Sequence, residues 1–376
     1  MKRLLKRLAK IASFNKEIGK PLIEITLSKK ALLNNLRAFQ KLNNTKEIAP
    51  VLKSNAYGHG IIQIADILEE EKLPFYIIDS YFEAKELRNN YIKTPLLIIG
   101  YVRIENINTS KLKDIIYTIS SIELLMLINS ETRIHLKIDT GMKRQGVTLA
   151  EKELAIGIIK RNKNIILEGI CSHLSDADNK EASFTEEQIS IWNNLVKEFR
   201  EEFPNIKYWH ISATVGQVFT NIDSNINRLG IGLYGLINMK NMDLKPVLEM
   251  KTIITDIKNI KVGDSIGYNR TFIANQKMRI AITPIGYYEG IDRRLSNRGY
   301  MKVENRYCPI LGRVSMNITV INIDGLSDTK IGDEVIVFSS DKDDRNSIRN
   351  IANICNTITY EIVVHIPQHL KRTVIQ

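Results

Sequence analysis

The sequence predicts a (β/α)8 barrel of the TIM type followed by a mostly β C-terminal domain. Three observations carry that reading. From Ile23 onward, short apolar runs alternate with stretches whose apolar residues fall three and four apart, the signature of parallel strands joined by helices. Near residues 241–250 the alternation stops, and the chain beyond reads as strands joined by turns. The unusual polar residues of the first part gather at strand ends, where such barrels keep their chemistry.

The barrel strands are expected at 50–54, 75–79, 96–100, 115–119, 134–139, 165–172, 208–212 and 229–234, with helical patterns such as 61–71, 83–90, 150–161 and 185–202 between them. The second domain is expected to hold strands at 252–257, 264–268, 278–284, 300–303, 319–323, 334–338 and 362–366, and one helix at 347–355. The chain therefore divides into a basic N-terminal extension (1–21), a barrel (22–245) and a β domain (246–376). A length of 376 residues agrees with two domains rather than one core.

Apolar content of 44% and charged content of 25% are those of a soluble globular protein. No run of 18 apolar residues appears, so no membrane span is expected. Cys171, Cys308 and Cys355 are few, odd in number and far apart, which points to reduced thiols and a cytoplasmic setting. Without a Cys-x-x-Cys or His/Cys cluster, no structural metal is expected. The net charge of +11 is scattered along the chain with no aromatic-rich basic groove. No nucleic-acid partner is expected; the charge suits a basic surface that attracts anionic small molecules. Residues 1–20 place Leu4, Leu5, Leu8, Ile11 and Ala12 on one helical stripe among basic residues. That pattern suits weak contact with an anionic membrane surface, or a helix packed on its own protein.

The candidate site begins at residues 49–60, A-P-V-L-K-S-N-A-Y-G-H-G. Lys53 closes a short apolar strand. A lysine seldom sits in such a place without a partner, and desolvation makes an amine nucleophilic toward an aldehyde. The plainer reading is a side chain that reaches back to solvent. Lys137, Asp139 and Arg144 lie at or just past the end of strand five, His173 ends strand six, Ser212 ends strand seven, and Arg228 and Gly230 flank the start of strand eight. Each has an ordinary alternative: a hydrogen-bonded core histidine, an ion-paired arginine, an uninformative serine. Their shared rim is what sets them apart.

The 49–60 string resembles the lysine segment of alanine racemases, in which that lysine carries pyridoxal 5'-phosphate (PLP). The resemblance runs from residue 22 to about 366. It implies roles position by position. Arg144 in I-D-T-G-M-K-R-Q-G would contact the cofactor phenolic oxygen and the substrate carboxylate, oriented by Lys137, which many members carry as a carbamate. His173 in C-S-H-L-S is the strand-six histidine, and Ser212 in I-S-A-T would contact the phosphate. In R-L-G-I-G-L-Y-G, Arg228 would face the pyridine nitrogen while the amides of Gly230 and Ile231 hold the phosphate, together with Tyr57. In the second domain Tyr268 of V-G-D-S-I-G-Y-N is similar to the second base, contributed by a partner subunit. Tyr287 of P-I-G-Y would line the substrate path, and the Met316 amide of L-G-R-V-S-M-N would meet the substrate carboxylate. G-D-E-V and then T-I-T-Y-E complete the likeness.

The resemblance implies a homodimeric amino-acid racemase, an isomerase that makes D-alanine for peptidoglycan with Lys53 and Tyr268 as its two bases and His173 and Arg228 supporting them. Two positions depart from the family pattern. Asn317 stands where aspartate is usual, and Gln368 falls where a tyrosine bounds the pocket and touches the phosphate. The glutamine would enlarge the pocket and favour serine or another amino acid. Other readings are a PLP decarboxylase of the same barrel class and a non-catalytic PLP carrier. Arg228 opposes the first, since decarboxylases of this class use an acidic residue there, and the large second domain opposes the other.

Overall fold

In the computed structural model, residues 19–179 and 181–376 are described. Residues 1–18, which hold most of the basic pattern proposed to touch a membrane, lie outside them. The chain opens with β1 (Glu24–Ser28) and α1 (Lys29–Leu42). Ser28 starts that helix, its Oγ accepting from the Ala31 amide at 3.1 Å. Leu32, Leu36 and Phe39 form the buried stripe that packs it on the barrel.

The barrel strands are β2 (Glu47–Pro50), β3 (Tyr76–Ile78), β4 (Leu96–Ile98), β5 (Ile115–Ile119), β6 (Thr132–Lys137), β7 (Ile165–Cys171), β8 (Tyr208–His210) and β9 (Ile226–Leu229). The strands β3 to β8 form one parallel sheet in sequence order, and β2 pairs in parallel with β9. A bridge between Val51 and Ile77 joins the pair to β3. On the other side the Arg228 amide donates to Ser212 O at 3.2 Å and closes the ring. Helices α2 (Ile61–Leu68), α3 (Tyr81–Asn89), α4 (Ile104–Thr109), α5 (Ile122–Leu127), α6 (Lys152–Arg161) and α7 (Ser183–Glu202) connect the strands.

Two barrel expectations shift. The first strand ends at Pro50, ahead of Lys53. The last is Ile226–Leu229 rather than 229–234, so Arg228 lies inside the strand and Gly230 just after it. Residues 230–235 are a buried turn: Ile231, Leu233 and Tyr234 are as buried as strand residues, which is why the apolar run misled.

The second domain holds a six-stranded sheet in the order β16 (Arg306–Pro309), β15 (Tyr300–Val303), β18 (Glu334–Phe338), β10 (Leu248–Ile253), β1, β19 (Arg372–Ile375). Thus β1, which precedes the barrel in sequence, pairs antiparallel with β10 and parallel with β19. A smaller sheet joins β11 (Asp256–Ile260), β14 (Met278–Thr283) and β17 (Thr319–Asn322), and β12 (Ser265–Ile266) pairs with β13 (Phe272–Ile273). Helix α8 (Ile348–Cys355) begins at its Ser347 cap. The strand expected at 362–366 is instead mostly helix, α9 (Thr359–Val364). Its β-branched run suggests a strand, but as a helix it buries Ile362 and Val363, so packing outweighs propensity. Among the described residues no helix is long and apolar enough to cross a membrane. All three cysteines are free and buried.

Candidate active site

The rim of the barrel holds a cavity of about 250 Å³ lined by Lys53, Tyr57, Lys137, Arg144, Cys171, His173, Thr214, Arg228, Gly230 and Tyr360, with Thr118 and four apolar side chains between them. Four cations and no carboxylate face it among the described residues. A ligand with several negative charges fits such a wall; a cation does not.

Lys53 enters through an unusual piece of backbone. Ser54, Asn55, Ala56 and Tyr57 all have φ between +51° and +56°, one left-handed turn built from residues with side chains. Each such residue costs about 1–2 kcal/mol, so the turn needs support. His59, fully buried, sets Nδ1 against the carbonyls of Ala56 and Tyr57 at 3.1 and 2.9 Å. Asn55 Oδ1 accepts from the Ile61 amide at 2.9 Å and starts α2. Gly58, at φ +77°, lies so close to α9 that a Cβ would stand 1.9 Å from Val363 O. Arg372, at the start of β19, donates through Nε and Nη2 to Gly58 O at 3.0 and 2.8 Å. The second domain thus braces the turn that presents Lys53.

Arg228 is fastened from β7 and β8. Its Nε donates to Ser212 O at 3.3 Å, and the two protons of its Nη2 are shared among Ser172 O at 2.8 Å, Ile211 O at 2.5 Å and His173 Nδ1 at 3.0 Å. A guanidinium can only donate, so Nδ1 of His173 accepts and the ring proton sits on Nε2. Burial first, then Arg228, Arg144, Lys137 and Lys53, push the His173 pKa down to about 2. His173 is therefore a neutral imidazole with its N–H directed away from Arg228.

The polar cradle lies where β8 and β9 end. A Cβ on Gly230 would meet Tyr57 Oη at 2.8 Å, so any side chain there would push that hydroxyl out of place. Thr214 Oγ1 accepts from the amides of Gly230 and Gly232 at 3.2 and 3.3 Å. The Ile231 amide donates to no acceptor among the described residues, and burial raises the Tyr57 pKa, so its hydroxyl keeps a proton to donate. Ser212, the expected hydroxyl, is 1% exposed and does not line the cavity, whereas Thr214 does. Strand β8 ends at His210, so both residues lie past it, and it is the second, Thr214, whose side chain reaches the rim.

Arg144 sits at the tip of a loop shaped by Asp139, whose Oδ1 accepts from the amides of Gly141 and Lys143 at 2.9 and 3.1 Å. The loop returns when the Val147 amide donates to Lys137 O at 2.9 Å. Lys137 Nζ donates to Gln145 Oε1 at 3.1 Å. Burial, followed by Arg228, Arg144 and Lys53, lowers the Lys137 pKa, with Cys171 opposing.

Comparison with known proteins agrees with this arrangement. Residues 27–238 match the family model "Alanine racemase, N-terminal domain", and residues 247–374 match "Alanine racemase, C-terminal domain". The chain belongs to the alanine racemase family. It is 33% identical over 375 residues to "Alanine racemase 2" of Caldanaerobacter subterraneus subsp. tengcongensis, covering 95% of each chain. Among solved structures it is similar to the alanine racemase of Clostridium difficile 630, with TM-score 0.88, 28% identity, and coverage of 95% of this chain and 97% of that one. It is likewise similar to the alanine racemase of Bacillus anthracis with bound L-Ala-P, with TM-score 0.88, 26% identity and 96% coverage of each.

Within this family member the C-terminal candidates stand apart from the cavity. Tyr268, Tyr287 and Met316 are 67%, 44% and 55% exposed and do not line it. Gln368 is exposed on a neighbouring groove, and the aromatic residue that the C-terminal part of the chain puts on the cavity wall is Tyr360, whose ring lies 5.7 Å from that of Tyr57. The expected enlargement of the pocket by Gln368 is therefore not seen. Sequence reading missed Thr214, Tyr360, Arg372 and Gln145 as parts of the site. Thr214 stands inside I-S-A-T and Tyr360 inside T-I-T-Y-E, so the signal was present. Arg372 carried none, because its partner Gly58 is 314 positions away.

Proposed function

We propose that the chain interconverts L- and D-alanine with pyridoxal 5'-phosphate as cofactor. The observation that carries this is Arg228, a fixed guanidinium facing a cavity without a carboxylate and tied to a neutral His173. An acidic residue in that place would support the decarboxylase reading; none lines the cavity among the described residues. The cradle fits a phosphate: the Tyr57 and Thr214 hydroxyls and the uncommitted amide of Ile231 would hold it, the Gly230 amide being taken by Thr214 Oγ1, with Lys53 taking the aldehyde. When bound, the cofactor supplies the electron sink that makes a Cα proton removable. Arg228 keeps its proton because guanidinium pKa values start above about 12, and so leaves a facing ring nitrogen neutral.

Lys53 serves one face of the substrate, giving or taking the Cα proton at Nζ. Tyr268 of a second copy serves the other, with His173 and Arg228 supporting its hydroxyl. The exposure of Tyr268, Tyr287 and Met316 in the single chain supports a homodimer in which these residues complete the neighbour's site. Arg144 and the Met316 amide would hold the substrate carboxylate.

The test is one assay. Purified protein is incubated with PLP and each L-amino acid in turn, and products are read by chiral chromatography. We expect D-alanine from L-alanine, little from L-serine, and no carbon dioxide. Lys53→Ala should lose attached cofactor. Tyr268→Phe should keep the cofactor and lose turnover mainly from one enantiomer; full activity of that variant would rule out its assignment.

A further inference from the structure

The two loops that carry Tyr287 and Met316 are zipped together. The Tyr287 amide donates to Ser315 O at 3.0 Å and the Tyr288 amide to Met316 O at 2.9 Å. A Cβ on Gly286 would stand 2.2 Å from Ser315 O and 2.4 Å from Met316 O, so the backbones approach as closely as glycine allows. Glu289, 7% exposed, spans this junction. Its Oε2 accepts from the Gly286 amide at 2.8 Å, and its Oε1 accepts from Asn317 Nδ2 at 2.5 Å.

We propose that Glu289 and Asn317 are positioning residues for the substrate side of the site, holding Tyr287 and the Met316 amide in one fixed relation. This rests on the racemase reading. The departure from the family pattern at 317 then has a physical reason. A buried carboxylate accepts only and needs donors on both oxygens. Asparagine provides the second donor, whereas aspartate would set two acceptors face to face and force one to take up a proton. The other charged or titratable groups on the groove that Glu289 lines are Glu86, His369, Lys371 and Arg372. Arg372 is already committed to the carbonyls of Gly58, Leu370 and Pro367, and the His369 ring stacks on Tyr288 at 5.2 Å.

The test inverts the hydrogen bond. Asn317→Asp is compared with the double variant Glu289→Gln/Asn317→Asp, in which the new side-chain amide can donate to the new carboxylate and still accept from the Gly286 amide. Steady-state kinetics with L- and D-alanine are run on PLP-loaded protein at about pH 9, where free carboxylates are ionised. Hydrogen exchange of the Tyr287 and Tyr288 amides is followed in the same proteins. The single variant should raise KM about tenfold with kcat and PLP content nearly kept, and should speed exchange at both amides. The double variant should restore both readouts. An unchanged KM in the single variant, or no recovery in the double, overturns the proposal. A wild-type protein that racemises nothing but shows the exchange pattern would refute the racemase reading and leave the clamp standing.

Discussion

Arg228 and His173 share a hydrogen bond of 3.0 Å in which the guanidinium is the donor. The bond selects the tautomer: Nδ1 has to keep its lone pair, and the ring proton goes to Nε2. With its pKa pushed to about 2 by burial and four cations, His173 should not titrate in the working range. Nitrogen-15 NMR of histidine-labelled protein, with the His173 signal assigned by its loss in His173→Gln, should show that ring as a neutral Nε2–H tautomer unchanged between about pH 5 and 9. A midpoint at about 6 for His173 would refute the tautomer assignment.

Acid stability depends on the buried histidines. Burial is the leading cause that lowers His59 to about 4 and His135 to about 3, and it holds His210 well below its ordinary value. His135 Nδ1 and His210 Nε2 lie 2.9 Å apart inside the barrel. The unfolded chain binds protons on these rings near pH 6.5 and the folded one does not, so folding stability rises with pH. Their contribution is complete above about 6.5 and is lost as pH falls toward the folded values. For His59 alone this is on the order of 3 kcal/mol. Urea midpoints should fall between about pH 7 and 4.5, and His59→Asn should flatten that slope; an equal slope in the variant would contradict this account.

At the cradle, Gly230→Ala should weaken PLP binding by at least about tenfold, because the new methyl meets Tyr57 Oη. Thr214→Val should both weaken PLP binding and cost about 2 kcal/mol of stability, since two buried amides lose their acceptor. Ser212→Ala should bind PLP nearly as the wild type does. Titration with PLP and thermal melts decide the order; a larger loss at 212 than at 214 would return the role to Ser212.

Strain in the left-handed turn is open to test at Ser54, which is exposed at φ +56°. Ser54→Gly should stabilise the protein by up to about 1 kcal/mol, and Ser54→Val should destabilise it by at least as much. Differential scanning calorimetry checks the sign; a lower melting temperature for the glycine variant would show that the turn is not strained there.

Arg372→Met should detach the end of the chain from the turn beneath Lys53. The guanidinium donates to the carbonyls of Gly58, Pro367 and Leu370, so its loss should cost about 3 kcal/mol. The KM for PLP should rise with it, because the Lys53 turn loses a brace. Stability lost without any change in PLP affinity would separate the two domains in function.

Much of the site was legible because its parts are local. Lys53 through Gly60, Arg144 with Asp139, and Arg228 with Gly230 each sit in one continuous string whose backbone shape and side-chain chemistry are set within a few residues. Gln368 shows where that stops: its sequence position suggested a cavity wall, but α9 carries Tyr360 there instead. Ser212 and Thr214 show it more finely, since a strand that ends after His210 leaves nothing in the residue types to say which hydroxyl turns to the rim.

By itself the sequence determined the alternation that makes the barrel, the change to β structure after residue 250, and the identity of the cations at the rim. These depend on periodicity and on short motifs, and both are written in neighbouring residues. Only the tertiary structure decided that β1 belongs to the second domain's sheet, that 362–366 is mostly helical, that Arg372 holds the lysine turn, and that Asn317 answers Glu289. Each of these is a pairing between groups far apart along the chain. Such pairings arise from which surfaces burial brings together, and local propensity carries no record of the partner.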